Sequence, residues 1–157
     1  TGLSYSDMKG LKNGNLQDFF DGNQWIIVRR KKTATSSNVM LLDIPKMIIE
    51  KYAGLSKDGK VFPVPSNTIC NDGLKRISQL IDCLVEKKVT FHLARHTFAT
   101  LFLSEGVPLE SLSKMLGHKN IATTQIYAKI LNEKVGKDMQ KVSHKFKGME
   151  ESFVSSL

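Results

Sequence analysis

The sequence predicts an α+β fold, mainly α-helical, with a small three-stranded antiparallel sheet packed beside a helical bundle. Three observations lead there. Residues 15–44 hold three β-rich runs separated by turn signals. Beyond Pro45 apolar residues recur at helical spacing. Pro, Gly and Asn fall where such helices must start and stop. The 157 residues read as one domain over 1–147 with a polar tail at 148–157, and 41% hydrophobic content suffices for a core without staples.

Residues 4–12 predict a short helix with Ser4 or Ser6 as N-cap. "NLQDFF" (15–20) predicts a strand and "DGNQ" (21–24) a turn; "WIIVRRKK" (25–32) and "VMLLDI" (39–44) predict two more strands around a polar loop, "TATSSN" (33–38). Pro45 opens a helix that ends at Gly54. A loop over 55–67 precedes a helix over 67–87, on which Ile69, Leu74, Ile77, Leu80, Ile81 and Leu84 form a stripe. Further helices are expected over 90–104, 108–118 with Gly117 as its stop, and 120–131 with Asn120 as N-cap. A Lys-rich helix over about 132–147 follows, and the tail then frays.

The net charge of +8 favours a polyanionic partner, nucleic acid or an anionic surface. Lys outnumbers Arg by 19 to four, so each arginine marks a place where a planar, two-pronged donor is wanted. No apolar run is long enough to span a bilayer. Cys70 and Cys83 form no CxxC or zinc pattern and read as small core residues of a reducing, cytoplasmic protein. The opening "TGLSYSDMKG" has neither initiator Met nor signal-peptide pattern, and the chain reads as part of a longer protein.

The chemistry concentrates in "HLARH". His92, Arg95 and His96 stand at i, i+3 and i+4, on one helix face. A zinc protease would need a Glu between its histidines, and Leu, Ala and Arg stand there instead. Arg95 would also repel a divalent ion, so no metal is expected. Phe98, Leu101 and Phe102 continue as a core stripe, and His96 reads as a hydrogen-bonded core residue. His118 follows a helix stop, and Tyr127 lies on the next helix. A phosphodiester under attack spreads charge over its non-bridging oxygens. Arg95 can grip two of these, His92 and His118 can donate to them, and Tyr127 can attack phosphorus. In "RRKKT" alternation puts Arg30 and Lys32 on one strand face, from which Lys32 can protonate a leaving oxygen. A merely solvated basic hairpin explains the same run.

This combination resembles the catalytic domain of the tyrosine recombinases, the phage-integrase family. The resemblance rests on "HLARHTFAT", "LGHKNIATTQIY", "RRKKT" and the opening "TGLSYSDMKGL", and covers Thr1 to about Lys145. It implies that family's catalytic-domain fold, with Tyr127 as nucleophile, Arg95, His92 and His118 around the phosphate, and Lys32 as general acid. It implies a 3′-phosphotyrosine intermediate, no nucleotide or metal cofactor, and an N-terminal core-binding domain outside this chain. The implied partners are double-stranded DNA, further recombinase protomers in a synaptic complex and accessory DNA-bending proteins, with no membrane. The implied activity is integration or excision of a mobile element in a bacterial, nucleoid-associated setting.

One position departs from the pattern. The family places Arg directly after "TGL"; here it is Ser4. Either the chain is an impaired, DNA-binding domain of the same fold, or another cation substitutes. Integrases of Bacteroides-type conjugative elements are similar in lacking that arginine, which favours substitution, with Arg30 as the candidate. Asp7 takes the acidic position that supports a catalytic His or Arg. Two rivals stay further back: a metal-dependent phosphodiesterase built on His92, His96 and His118, and a type IB topoisomerase using the same chemistry.

Overall fold

The structure, a computed structural model, describes residues 1–56, 58–80 and 89–128, together with Gly136, Met139, Gln140 and Ser143. The elements are α1 (Tyr5–Lys9), β1 (Leu16–Asp18), β2 (Gln24–Arg29), β3 (Ser36–Met40), α2 (Asp43–Lys51), α3 (Asn67–Leu80), α4 (Phe91–Ser104), α5 (Leu109–Leu116) and α6 (Ala122–Ala128). The expected meander forms, antiparallel in the order β1-β2-β3. Its register sets Leu16 opposite Ile26 and Ile26 opposite Val39, which lines one face with apolar side chains.

Several boundaries differ from the sequence expectation. β2 stops at Arg29, and β3 already begins at Ser36, inside the stretch expected as loop. The cause is a turn closed by the Arg30 amide donating to Thr35 O and the Ala34 amide donating to Arg30 O, both at 2.9 Å. Arg30 and Lys32 therefore do not share a strand face. Inward–outward alternation persists one residue past the strand, with Val28 buried, Arg29 exposed and Arg30 buried, while Lys32 stands exposed in the turn. α2 opens at Asp43 rather than Pro45, and the proline still lies in the first turn, where a missing N–H costs nothing.

The α4 stripe is also corrected. Arg95, Ala99 and Leu103 are its buried residues, and Leu101 is 53% exposed. On α3 nothing is buried, and Ile69, Ile77 and Leu80 face outward among the described residues. Cys70 is half-buried rather than in the core. The expected continuation of this helix through 81–87, with Cys83, lies outside the described residues. So do the end of the 120–131 helix, the tail, and the Lys-rich helix except for Gly136, Met139, Gln140 and Ser143, which are helical.

Two apolar clusters build the core. One holds Leu3, Leu11, Ile26, Val28, Leu41 and Val61, under the sheet and α1. The other holds Ala99, Leu103, Leu112, Leu116 and Tyr127, between α4, α5 and α6. α5 bridges them: it packs on β3, where the Ser37 hydroxyl donates to Met115 O. Gly117 ends α5 in the left-handed conformation at φ 60°, as the sequence predicts. Among the described residues no helix is long and apolar enough to cross a membrane.

A side chain at Gly117 meets two obstacles: left-handed backbone costs about 1–2 kcal/mol in a residue with a Cβ, and the added carbon runs into Arg30 and Ser37. Gly117→Ala should therefore lower the unfolding free energy from urea titration by at least that amount and displace Arg30, with cleft function falling alongside. A variant as stable as the parent would show that the α5 terminus adapts freely.

Candidate active site

A cleft of about 800 Å³ opens between the hairpin turn and helices α4 and α6. Its walls include Arg30, Lys32, His92, Arg95, His118 and Tyr127, so all six residues singled out in the sequence meet there. Local structure explains how each arrives. Thr90 caps α4, its hydroxyl accepting from the Leu93 amide at 3.2 Å, and this sets the rotation that turns His92 and Arg95 toward the cleft. Asn120 closes the turn before α6, its side chain accepting from the Ala122 amide at 2.9 Å. That turn leaves His118 at the cleft mouth, while Tyr127 packs into the helical cluster.

Arg95 is buried and gripped from two sides. Nη1 donates to Gly2 O at 2.6 Å, and Nη2 donates to Leu116 O and to His118 Nε2, the latter at 3.2 Å. Gly2 sits at φ +64° against the Phe98 ring, where a Cβ would not fit. Of five guanidinium donors, about two remain for a ligand. Because Arg95 can only donate, His118 Nε2 accepts, and Nδ1 carries the hydrogen toward Thr124 Oγ1 at 2.8 Å. Burial, then Arg95 and Arg30, push the His118 pKa down to about 4, so the ring is neutral at neutral pH.

Arg30 is the second buried guanidinium. Nε donates to Asp7 Oδ2 at 3.2 Å and Nη1 donates to Gly117 O at 3.0 Å. Asp7 also accepts from the Ser4 hydroxyl at 2.6 Å and from the Lys31 amide at 3.3 Å. The expected supporting carboxylate is thus paired with Arg30, and Ser4 helps hold it. Ser4 borders a neighbouring hollow of about 310 Å³ that Arg95 and His92 also wall. The two cations crowd each other: burial and then Arg30 lower the Arg95 pKa to about 10. Desolvation raises that of Tyr127, against a smaller pull from Arg95. Burial, His92 and Arg95 lower that of His96.

Sequence reasoning missed three participants. His96 is not a core residue; it is half-buried and lines the cleft. Lys119 adds a cation beside His118, and its position right after the motif was the available signal. Thr124 fixes the His118 ring, and nothing local to Thr124 announces that. Two guanidiniums, two lysines and a tyrosine hydroxyl around one cleft can hold an anion with a nucleophile against it.

The family model described as the phage integrase family matches residues 1–134, and the chain belongs to that family. It is 31% identical over 155 residues to tyrosine recombinase XerD of Listeria monocytogenes, covering 92% of this chain and 51% of that protein. The crystal structure of XerA recombinase superposes with a TM-score of 0.70 at 24% identity, over 91% of this chain and 54% of that one. XerH site-specific recombinase, solved with palindromic difH substrate in a post-cleavage complex, gives a TM-score of 0.67 at 21% identity, over 88% and 42%. The chain spans about half, or less, of the length of the curated relatives it matches.

The lowered His118 pKa has a signed consequence. Between the ordinary 6.5 and about 4 the unfolded chain binds a proton at this histidine and the folded protein does not. This group therefore costs stability progressively as pH falls through that window and has no effect above it. Urea midpoints measured from about pH 7 to pH 4 should fall less steeply in His118→Gln than in the parent. Parallel curves would mean that His118 is not held neutral.

Proposed function

We propose that this chain is the catalytic domain of a site-specific DNA recombinase, an integrase that cleaves and rejoins DNA strands to integrate or excise a mobile element. The observation that carries the reading is the position of Tyr127: its side chain lines the same cleft as Arg95, Arg30, His92, His118 and Lys32. Family membership supports it, as do the DNA-bound relatives of the same fold.

In this reading a phosphodiester enters the cleft and its non-bridging oxygens take up the free donors of Arg95 and Arg30, with His92 and His118 beside them. The Tyr127 oxygen attacks phosphorus, the bond to the 5′ oxygen breaks, and Lys32 gives that oxygen its proton. The products are a 3′-phosphotyrosine and a free 5′-hydroxyl. Rejoining runs the same steps backward from another 5′-hydroxyl. Burial favours the protonated Tyr127 hydroxyl until attack, and its proton leaves to His118, which burial and then the two arginines hold neutral. The covalent bond conserves the energy of the broken one, so no nucleotide is consumed. Arg30 stands in for the arginine that Ser4 replaces: it is buried, oriented by Asp7 and presented to the cleft, whereas Arg29 is exposed and turned to Ala34 O at 3.0 Å. The second reading, a DNA-binding domain that lost cleavage with that arginine, rests on Ser4 alone.

Nicked suicide substrates trap the covalent adduct on denaturing gels. The parent should form it and Tyr127→Phe should not; adduct from the phenylalanine variant would remove Tyr127 from the role, and none from the parent would favour the binding-only reading. For Arg30 the informative change is Arg30→Lys, which keeps a cation near Asp7 and loses the fork. Single-turnover cleavage should drop roughly 100-fold or more, the cost of losing one preorganised donor, while Arg29→Ala stays close to the parent. Equal, mild losses in both would reduce Arg30 to a backbone contact.

A further inference from the structure

The roles above leave one side chain of "HLARH" unused. His96 lies one turn beyond His92, and the two Nε2 atoms are 2.8 Å apart. The rings meet edge to face, with centroids 4.4 Å apart at 88°. On its other side the His96 ring meets the ring of Tyr127, at 5.2 Å and 66°. One half-buried imidazole thus touches both the proposed phosphate donor and the proposed nucleophile.

The chemistry of the nitrogen pair narrows what this contact does. Two ring nitrogens at hydrogen-bonding distance bond only when one carries hydrogen and the other is bare. Burial, with His92 and Arg95 nearby, favours the neutral form of His96. Either neutral tautomer of His96 completes the pair; the one with a bare Nε2 puts the hydrogen on His92 Nε2, from which His92 can donate to a ligand. His92 is exposed, and a ring with no partner would sample other rotamers. An entering phosphate oxygen is anionic and a stronger acceptor than imidazole, so it takes over the hydrogen bond that His96 has kept aimed.

We propose that His96 is a positioning residue for strand cleavage: its Nε2 holds His92 as an Nε2–H donor facing the cleft, and its ring backs Tyr127, so donor and nucleophile are set in register before DNA arrives. The inference rests on the roles proposed for His92 and Tyr127.

Three variants of the intact protein test it on nicked suicide DNA, with single-turnover cleavage and DNA affinity measured separately. His96→Phe keeps the ring against Tyr127 and removes the acceptor; it should cleave roughly 10- to 100-fold more slowly, a typical cost of a misplaced group, with affinity within about twofold of the parent. His96→Gln restores an acceptor and should recover much of the rate. Tyr127→Phe is the control. Cleavage by His96→Phe at the parental rate overturns the inference, as does a loss in the Phe and Gln variants alike that follows affinity and melting temperature. If Tyr127→Phe still forms the adduct, the nucleophile assignment fails and this inference with it. If only the His96 variants behave like the parent, the nucleophile stands and His96 is packing.

Discussion

The site hangs on the C-terminal end of α5. A helix leaves its last carbonyls without partners inside the helix, and they carry the negative end of its dipole. Here Met115 O takes the Ser37 hydroxyl, Leu116 O takes Arg95, and Gly117 O takes Arg30, Thr33 and Thr35. Hydrogen bonds from charged donors are worth about 1.5–3 kcal/mol each, more than most single contacts in a domain. Both guanidiniums are therefore fixed by one short helix end. That same end ties the sheet cluster to the helical cluster, so the cleft between them has a set width.

Burial first, and then repulsion from Arg30 in the same cleft, lowers the Arg95 pKa. Asp7 relieves part of this through Arg30, and the α5 carbonyls relieve more. His118 stays neutral first because it is partly buried, and then because a third positive charge there would add to the repulsion. The whole arrangement is one that an anion completes. In the proposed reading a phosphate oxygen meets donors already in place, so little reorganisation accompanies binding or attack.

In the proposed reading, Arg30 stands in for the arginine that the family resemblance places at Ser4. Ser4 is the N-cap of α1, its hydroxyl accepting from the Asp7 amide and donating to the Asp7 carboxylate. Ser4 thus supports the carboxylate that pairs with Arg30. The cleft holds two guanidiniums, Arg30 from the hairpin turn and Arg95 from α4.

Taken alone, the sequence determined what depends on near neighbours. The meander, the stop at Gly117, the shared face of His92 and Arg95, and the late helix bearing Tyr127 all follow from spacings of a few residues. It also set the charge that an anionic partner requires. What it left open were the contacts between residues far apart in the chain. Arg95 finds Gly2 O across 93 positions and Leu116 O across 21, and Arg30 finds Gly117 O across 87. No local pattern encodes those partners. The turn that ends β2 at Arg29, the outward face of Leu101 and the place of His96 beside Tyr127 were decided the same way. Periodicity says which residues share a face. Only packing says what that face meets.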